Sequence, residues 1–168
     1  IHEFGKKIGI QTYVFDCSEE YKQTILSYFK SEYEAGRTPN PDVLCNREIK
    51  FKDFKQKALE LGADYIATGH YCDILHDGDT HYLLKAKDQS KDQTYFLNQL
   101  SQSQLDKVLF PLGKLDKSEV RKIALQKVQS LQTNSYVPKE FLSQEVLLVL
   151  FFQEKNIKAI KNLTYTKE

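Results

Sequence analysis

Residues 36 to 51 read GRTPNPDVLCNREIKF, in which a loop with two prolines runs directly into a helical pattern. The prolines stand two residues apart, so they remove two backbone donors and forbid a regular helix across residues 38 to 42. Residues 43 to 61 repeat apolar side chains at helical spacing, and Gly62 is placed to end that helix. The stretch therefore predicts a rigid loop that presents polar side chains near the start of a long helix.

The segment before this stretch predicts a strand followed by a helix. Residues 8 to 16 are rich in β-branched and aromatic side chains, which is typical of a strand. Ser18 and the two acidic residues after it suit a helix start, and Gly36 is expected to stop that helix. Asp16 ends the strand, where α/β proteins commonly bind ligands.

The segment after the stretch predicts two further β elements. Residues 63 to 70 predict a short buried strand that breaks into a turn at Gly69, and residues 74 to 84 predict a hairpin with a type I′ turn at Asp77-Gly78. The order strand, helix, loop, helix, strand indicates the α/β class. Because ligands bind beyond the carboxyl ends of such strands, Gly69 and His70 lie at a candidate site.

The pattern changes after Lys91. Short helices are predicted there, with start signals at residues 101 to 104 and 116 to 119; their bounds are 94 to 100, 101 to 108 and 117 to 125. We predict a domain boundary near residues 88 to 92. The chain then divides into three regions, residues 1–90, 91–125 and a divergent tail at 126–168.

Composition places the chain among globular proteins. Of its 168 residues, 40% are apolar and 28% are charged, which excludes a disordered chain. The longest apolar run covers residues 146 to 152, far short of the roughly 18 to 20 residues that span a bilayer, so no membrane partner is predicted. The net charge of +1 neither supports nor excludes RNA binding, although local basic clusters occur.

Three cysteines occur, at positions 17, 45 and 72. An odd count without a Cys-x-x-Cys pair, or a cysteine and histidine at zinc spacing, argues against a disulfide framework and a structural zinc site. No bound metal is therefore predicted. Cys17 and Cys72 are expected to be small buried apolar residues, and the compartment is expected to be reducing.

Cys45 has a second interpretation. Asp42 and Cys45 are three residues apart and lie on one side of the first helical turn. A thiol there feels the positive end of the helix, which favours the thiolate, and Arg37, Arg47 and Lys50 would add to this effect if they face it. Asp42 could then accept a proton or orient a substrate. The alternative is that Asp42 is an N-cap and Cys45 a buried packing residue.

Two other short motifs could contact a ligand. Gly69 follows a buried strand, where the missing side chain lets a ligand approach the backbone closely. Lys91 could meet a phosphate, and Gln93 could bond a base edge or the backbone. Taken alone, each motif is better explained as an ordinary turn: a strand-to-loop turn at Gly69 and a solvated surface turn at residues 91 to 93.

Four motifs in order resemble one enzyme family. Residues 32 to 51, 61 to 71, 91 to 97 and 110 to 124 carry the resemblance. From about Ile1 to about Leu125, the chain is similar to the MnmA family of tRNA-specific 2-thiouridylases, bacterial enzymes with mitochondrial relatives.

The resemblance implies an ATP-dependent sulfurtransferase. Members of the family adenylate the C2 oxygen of the wobble uridine in tRNA and then replace it with sulfur carried as a cysteine persulfide. ATP with Mg²⁺, tRNA and a persulfide donor protein are the implied cofactor and partners, and the compartment is the cytoplasm or, in a eukaryote, the mitochondrial matrix. The implied fold is the C-terminal part of an adenine-nucleotide α-hydrolase-like (PP-loop ATPase) domain, followed by a small, mostly helical tRNA-binding domain.

The resemblance also implies roles for individual residues. Cys45 stands at the position of the nucleophilic cysteine, and Asp42 at that of an acid/base residue close to the target base. Asn40 and Pro41 match positions that touch this base, and Gly69 matches a glycine that contacts ATP. A tripeptide matches the positions that contact tRNA: Lys91, Asp92 and Gln93.

Two family motifs have no counterpart in the chain. The Ser-Gly-Gly-x-Asp-Ser loop that cradles the ATP phosphates is expected upstream of Ile1. The second family cysteine, which carries the persulfide, aligns with Leu150, and neither Cys17 nor Cys72 fits its place. The family's C-terminal β-barrel is also missing. We therefore expect a partial chain that is inactive alone, and we interpret the loss of pattern between residues 126 and 153 as a reading-frame change.

Two other functions remain open at this point. One is a non-enzymatic RNA-binding remnant that uses Lys91, Asp92, Gln93 and the basic tail. The other is a different PP-loop ATP-pyrophosphatase, such as an amidotransferase-type ligase. The sequence NPDVLCN at residues 40 to 46 argues against the second.

Overall fold

The fold is taken from a computed structural model that describes residues 13 to 131 and 163 to 165, with side chains for residues 13 to 126. Strand β1 (Tyr13–Phe15) pairs in parallel with a strand at Leu163–Tyr165. The strand predicted at residues 8 to 16 is thus seen from Tyr13 onward, and its first part lies outside the described residues. The apolar run at 146 to 152 and the position of Leu150 lie outside them as well.

The first helix runs without a break from residue 18 to residue 34. It consists of α1 (Ser18–Glu20), a π-helical segment (Tyr21–Leu26) and α2 (Ser27–Glu34). It ends at Gly36, whose φ is +73°, and the Arg37 amide donates to the Glu32 carbonyl at 2.9 Å. This bond closes a Schellman-type end, which confirms the predicted stop at Gly36.

The second helix, here called the cysteine helix, covers residues 41 to 60. It consists of α3 (Pro41–Leu44), a π-helical segment (Cys45–Phe54) and α4 (Lys55–Glu60). The prediction of a loop through residue 42 is wrong at its end. Pro41 begins the helix, since the first helical position needs no amide donor and its φ suits proline. Gly62, with φ +90°, ends it as predicted.

Three β elements follow the cysteine helix. Strand β2 (Ile66–Ala67) pairs in parallel with a later strand at Val108–Leu109. Strands β3 (Cys72–Asp77) and β4 (Thr80–Lys85) form an antiparallel hairpin.

The hairpin is where it was predicted, but its turn is not. Asp77 pairs with Thr80, so the two loop residues are Gly78 and Asp79 rather than Asp77 and Gly78. Among the residues of this turn only Gly78 has a positive φ, at +57°. A type I′ turn needs positive φ at both central residues, so the signs are those of type II′.

After residue 91 the chain combines short helices with a strand, and the helix predicted at residues 94 to 100 is wrong, since only one 3₁₀ turn forms there. A 3₁₀ turn (Thr94–Phe96) precedes α5 (Gln102–Leu105), which begins with a complete capping box between Ser101 and Gln104. Strand β5 (Val108–Leu109) follows, and then α6 (Lys117–Leu131). Strand β6 is the segment at Leu163–Tyr165.

The helix predicted across residues 101 to 108 is therefore wrong in its second half. The helix ends at Leu105, because Asp106 has a non-helical ψ of 140° and Lys107 a φ of +55°, and the next residue is the fully buried, β-branched Val108. The buried Lys55 ammonium ties this break to the cysteine helix, because it donates to the carbonyls of Ser103 at 2.7 Å and Asp106 at 2.6 Å. The carbonyls left open at the end of α5 are satisfied in this way.

Two apolar clusters hold these elements together. The first joins the cysteine helix to the strands and includes Phe51, Ala58, Ile66, Cys72, Leu97, Val108 and Phe110. The second packs α6 against the hairpin ends and includes Tyr71, Ala86, Leu112, Val120 and Ala124. Both clusters draw residues from either side of residues 88 to 92, and the domain boundary there stays a prediction.

Parallel strand pairs between helices confirm the α/β class. Among residues 13 to 131 and 163 to 165, no helix has the length and apolar character that crossing a bilayer requires.

Candidate functional site

The loop before the cysteine helix is fixed by Asn40. Its side-chain oxygen accepts a 3.3 Å hydrogen bond from the Val43 amide, which makes Asn40 the N-cap. The alternative that Asp42 is the N-cap is therefore wrong. Asp42 lies in the first turn instead, and its side chain is exposed. A carboxylate at this position is free to face a substrate while it also suits the positive helix end.

Cys45 lies one turn further along, with 7% of its surface exposed. It belongs to a third apolar cluster, which joins the cysteine helix to the first helix and contains Cys17, Ile25, Cys45 and Ile49. Cys17 and Cys72 are buried as predicted, and burial raises the pKa of both thiols. Cys45 is the most exposed of the three.

Two of the cations expected near Cys45 are paired with carboxylates. The Arg37 guanidinium donates to Glu32 at 2.7 Å, and the Arg47 guanidinium donates to Glu48 at 2.7 Å. Arg47 also donates to Gln99 at 2.7 Å. Both guanidinium groups are therefore held by neighbouring carboxylate or amide side chains.

Gly69 and His70 follow Thr68 at the carboxyl end of β2. The Thr68 hydroxyl and His70 Nδ1 are 2.8 Å apart and bond across Gly69. The His70 ring lies 5.9 Å from the Phe51 ring and 6.3 Å from the Phe110 ring. Burial, helped by the Lys50 charge, lowers the pKa of His70 to about 3, so its imidazole is neutral at neutral pH.

The tripeptide Lys91-Asp92-Gln93 divides into one exposed residue and two anchored ones. Lys91 is exposed, whereas Asp92 and Gln93 are half-buried. The Ala86 amide donates to Asp92 at 2.8 Å. Burial opposes ionisation of Asp92, but hydrogen bonds from Thr94 and Ala86 outweigh it and hold the pKa of this carboxyl below its usual value. Asp92 therefore shapes the turn, and Lys91 is the side chain left facing solvent.

Hydrogen bonds tie the three motifs to one another. Asn46 donates from Nδ2 to the Phe96 carbonyl at 3.1 Å, which joins the cysteine helix to the segment after residue 91. Gln93 pairs with Tyr71 through two hydrogen bonds, which joins that segment to the turn after β2. The contact between the His70 and Phe51 rings joins the turn after β2 to the cysteine helix. The predicted site residues are thus carried on three segments that are joined by hydrogen bonds at two places and by a ring contact at the third.

Asn46 and Tyr71 were not predicted to belong to this arrangement. Asn46 is 2% exposed, and within the described residues its Oδ1 has no hydrogen-bond partner. The available signal was its spacing of three from Val43 and from Ile49, which places a polar residue on the buried face of the helix. A buried amide of this kind is expected to make specific bonds.

Within the part of the chain that the structure describes, no group of three or more His, Cys, Asp or Glu side chains is arranged to hold a metal ion.

Comparison with known proteins identifies similar sequences. Residues 1–139 match a family model described as tRNA methyl transferase HUP domain. The chain is 59% identical over 119 residues to a Staphylococcus haemolyticus protein named tRNA-specific 2-thiouridylase MnmA, which covers 70% of this chain and 32% of that protein. Proteins of the same name match it in Christiangramia forsetii, at 60% over 124 residues, and in Listeria monocytogenes, at 58% over 120 residues.

The matching segments make up most of this chain but only a minor part of each relative. The matches take in 71% of this chain for both the Christiangramia and the Listeria protein, but 31% and 32% of those proteins. The chain thus spans about a third of the length of the curated relatives it matches.

Proposed function

The chain belongs to the tRNA methyl transferase HUP domain family, and from that premise we propose that it carries the nucleophile of a tRNA 2-thiouridylase. HUP domains have the PP-loop ATPase type of α/β fold. The observation that carries the proposal is the position of Asp42 and Cys45 in the first two turns of the cysteine helix, which is hydrogen-bonded to the segment after residue 91 and in ring contact with His70. Sulfur transfer to a base needs a thiol and a proton acceptor held in one place.

Each proposed role follows from chemistry that the uridine requires. Its C2 oxygen is a poor leaving group, and adenylation by ATP corrects this. Persulfide transfer then needs two thiols, one that carries the sulfur and one that resolves the resulting disulfide. Cys45 is proposed as the nucleophilic thiol and Asp42 as the proton acceptor beside the base, with Asn40 and Pro41 shaping the contact with that base.

ATP and tRNA are proposed to meet different parts of the site. Gly69 lies at the carboxyl end of β2, the usual ligand side of an α/β sheet, and suits a backbone contact with ATP. Mg²⁺ would accompany the ATP phosphates. The base must leave the anticodon stack to reach Cys45. Lys91 is proposed as a phosphate contact, while Asp92 and Gln93 hold its loop in place.

The family description speaks of methyl transfer, whereas the names of the relatives speak of thiolation. Asp42 and Cys45, which lie about one turn apart on the cysteine helix, favour thiolation, because they supply a base and a thiol. The same loop argues against a different ATP-pyrophosphatase. A persulfide donor protein is the proposed sulfur source, and the cytoplasm the proposed compartment.

A chimera tests the proposed roles within a full-length relative, so that the test does not depend on residues of this chain outside the matching segment. In the Staphylococcus haemolyticus protein, the 119-residue segment that matches this chain is exchanged for the corresponding segment of this chain. The chimera is then assayed for 2-thiolation of tRNA with ATP and a persulfide donor. We expect activity, its loss in Cys45→Ala, and a fall of about 10²-fold or more in Asp42→Asn.

Cys17→Ala is the matched control, since Cys17 is buried in the same apolar cluster as Cys45. It should keep most of the activity. A chimera that folds, binds ATP and tRNA, and yet does not thiolate would contradict the proposal. Equal activity in Cys45→Ala and Cys17→Ala would contradict the role of Cys45.

RNA binding without catalysis is the second candidate, favoured by the exposed position of Lys91. A gel shift of the 168-residue chain with tRNA at 50 and 200 mM salt separates it from simple non-binding, because phosphate-driven binding weakens as salt rises. Lys91→Ala should weaken binding and reduce the salt dependence. Binding by this chain, together with an inactive chimera, would favour the second candidate over the first.

A further inference from the structure

Two histidines face each other near the tip of the β3–β4 hairpin. His76 and His81 are directly opposite partners in the antiparallel register, and their Nδ1 atoms are 2.8 Å apart. The pair lies on the same face of the hairpin as Ile74 and Leu83, which pack against the first apolar cluster. His76 is exposed and the His81 side chain is 9% exposed, so the pair is open to solvent from the His76 side.

The Nε2 atom of each imidazole ring, which points away from the other ring, faces an oxygen atom. His76 Nε2 is 3.1 Å from the Val108 carbonyl and must carry the proton, because a carbonyl oxygen can only accept. His81 Nε2 lies 3.9 Å from Asp106 Oδ1. Histidines that bind metals commonly have their other ring nitrogen held by a backbone carbonyl or a carboxylate, which turns the metal-binding nitrogen inward.

Gln102 fixes the position of the second histidine. Its side chain accepts a 2.7 Å hydrogen bond from the His81 amide and donates a 3.1 Å hydrogen bond to the His81 carbonyl. The two rings are therefore held by three elements: the hairpin, β5 and α5. Such an arrangement reduces the entropy that a ligand would have to remove when it binds.

We propose that His76 Nδ1 and His81 Nδ1 form a two-nitrogen chelate for a divalent transition metal ion of the Ni²⁺ or Cu²⁺ type. Metal–nitrogen bonds of about 2.0–2.1 Å that meet at a right angle separate two nitrogens by about 2.9 Å. The same bonds at a tetrahedral angle separate them by about 3.3–3.4 Å. The observed 2.8 Å matches the right angle, which is the geometry of tetragonal Cu²⁺ and Ni²⁺ sites rather than of tetrahedral zinc.

The number of protein ligands defines the kind of site. No group of three or more metal-binding side chains occurs among the described residues, so the two imidazoles are the ligands that this part of the chain supplies, and positions of the ion are left for solvent. The site is thus an exchangeable chelate. In the absence of metal, a proton on His81 Nδ1 joins the two rings; when the metal binds at Nδ1, His81 carries its proton on Nε2, which faces Asp106.

Metal titration of the complete 168-residue chain tests the inference, with Ni²⁺ as the probe and Mg²⁺ as the negative control. Calorimetry should find one Ni²⁺ site per chain that is lost or weakened at least about tenfold in His76→Gln, because a single imidazole cannot chelate. His81→Gln and the double variant should lose as much as His76→Gln alone. Ni²⁺ should raise the Tm of the unaltered chain but not that of the variants.

His2→Gln removes a histidine outside the described residues and serves as the matched control, which should keep the site. Additive losses in the two single variants would indicate independent histidines and overturn the chelate. Proton NMR of the unaltered chain gives a test that needs no variant. Substoichiometric Cu²⁺ should broaden the His76 and His81 ring signals before those of His2 and His70, and uniform broadening of all four would overturn the inference.

Discussion

Gln93 and Tyr71 are joined by two hydrogen bonds, although they are 22 residues apart in the chain. The Gln93 amide donates to the Tyr71 carbonyl at 2.8 Å, and the Tyr71 amide donates to Gln93 Oε1 at 2.9 Å. Tyr71 directly follows Gly69 and His70, so this pair joins the proposed tRNA-binding turn to the end of β2. The side-chain oxygen that could have met a base is used within the protein.

Substitution of Gln93 by alanine should therefore destabilise the fold. It leaves the buried Tyr71 amide without an acceptor, which costs about 1–3 kcal/mol in the free energy of unfolding. Urea denaturation measures this cost. Gln93→Glu keeps an oxygen acceptor and should lose much less, and the exposed Asn98→Ala should change stability by less than about 0.5 kcal/mol. Equal stability of Gln93→Ala and Asn98→Ala would refute the structural role of Gln93.

Gly113 should not tolerate any side chain. A Cβ atom there would lie 2.1 Å from the Cys72 carbonyl oxygen and 2.9 Å from the Asp73 Cβ. Because the first obstacle is backbone, the clash cannot be relieved by a rotamer change, and Gly113→Ala should cost about 3 kcal/mol or more. Thermal and urea unfolding measure the loss.

Gly36→Ala is the matched control for Gly113→Ala. Its Cβ would meet nothing within 4 Å, but its φ of +73° is strained for alanine, so a loss of about 1–2 kcal/mol is expected. A Gly113→Ala protein as stable as Gly36→Ala would show that β3 can move away from residue 113.

The sequence predicted elements whose signals are local. The helix stops at Gly36 and Gly62 need a residue that adopts positive φ, and the capping box at Ser101 needs only residues three apart, so all three could be recognised without tertiary information. The α/β class followed from the alternation of such elements. The position of Cys45 near a helix start was predictable for the same reason.

The features that the sequence patterns predicted wrongly or missed depend on contacts between residues that are distant in sequence. Val108 extends the helical pattern of residues 101 to 108, yet it pairs with Ile66, 42 residues earlier in the chain. The burial of Asn46 against Phe96, and the use of Gln93 by Tyr71, likewise depend on segments that meet only in the folded chain. Local patterns do not contain the information that sets such pairings.

The three cysteines should react with iodoacetamide in a fixed order. Only the thiolate reacts, and burial raises the pKa of Cys72 far above its ordinary value and that of Cys17 to a smaller extent. Cys45 is more exposed than either and lies near the positive helix end, so it should be labelled first and Cys72 last. Peptide mapping by mass spectrometry after short labelling at pH 8 gives the order. Labelling in urea should make the rates similar, and a native protein whose Cys72 reacts as fast as Cys45 would contradict the structure.

His70 should make stability depend on pH below its ordinary pKa. In the folded chain the pKa of His70 lies at about 3, whereas in the unfolded chain it is 6.5. Between these values the unfolded state binds a proton that the folded state does not, so stability falls as pH falls. From pH 7 to pH 5 the loss from this one group amounts to about 2 kcal/mol.

The contribution of His70 is isolated by comparing the unaltered chain with His70→Asn, whose amide oxygen can still accept from Thr68. Asparagine does not titrate, so the difference in unfolding free energy between the two proteins should shift by about 2 kcal/mol against the unaltered chain between pH 7 and pH 5. Thr68→Val, which keeps the imidazole between the two aromatic rings, should follow the unaltered chain, since desolvation is the main cause of the pKa shift. Parallel pH profiles for the unaltered chain and His70→Asn would mean that His70 accepts a proton in the folded state and is not held neutral between Phe51 and Phe110.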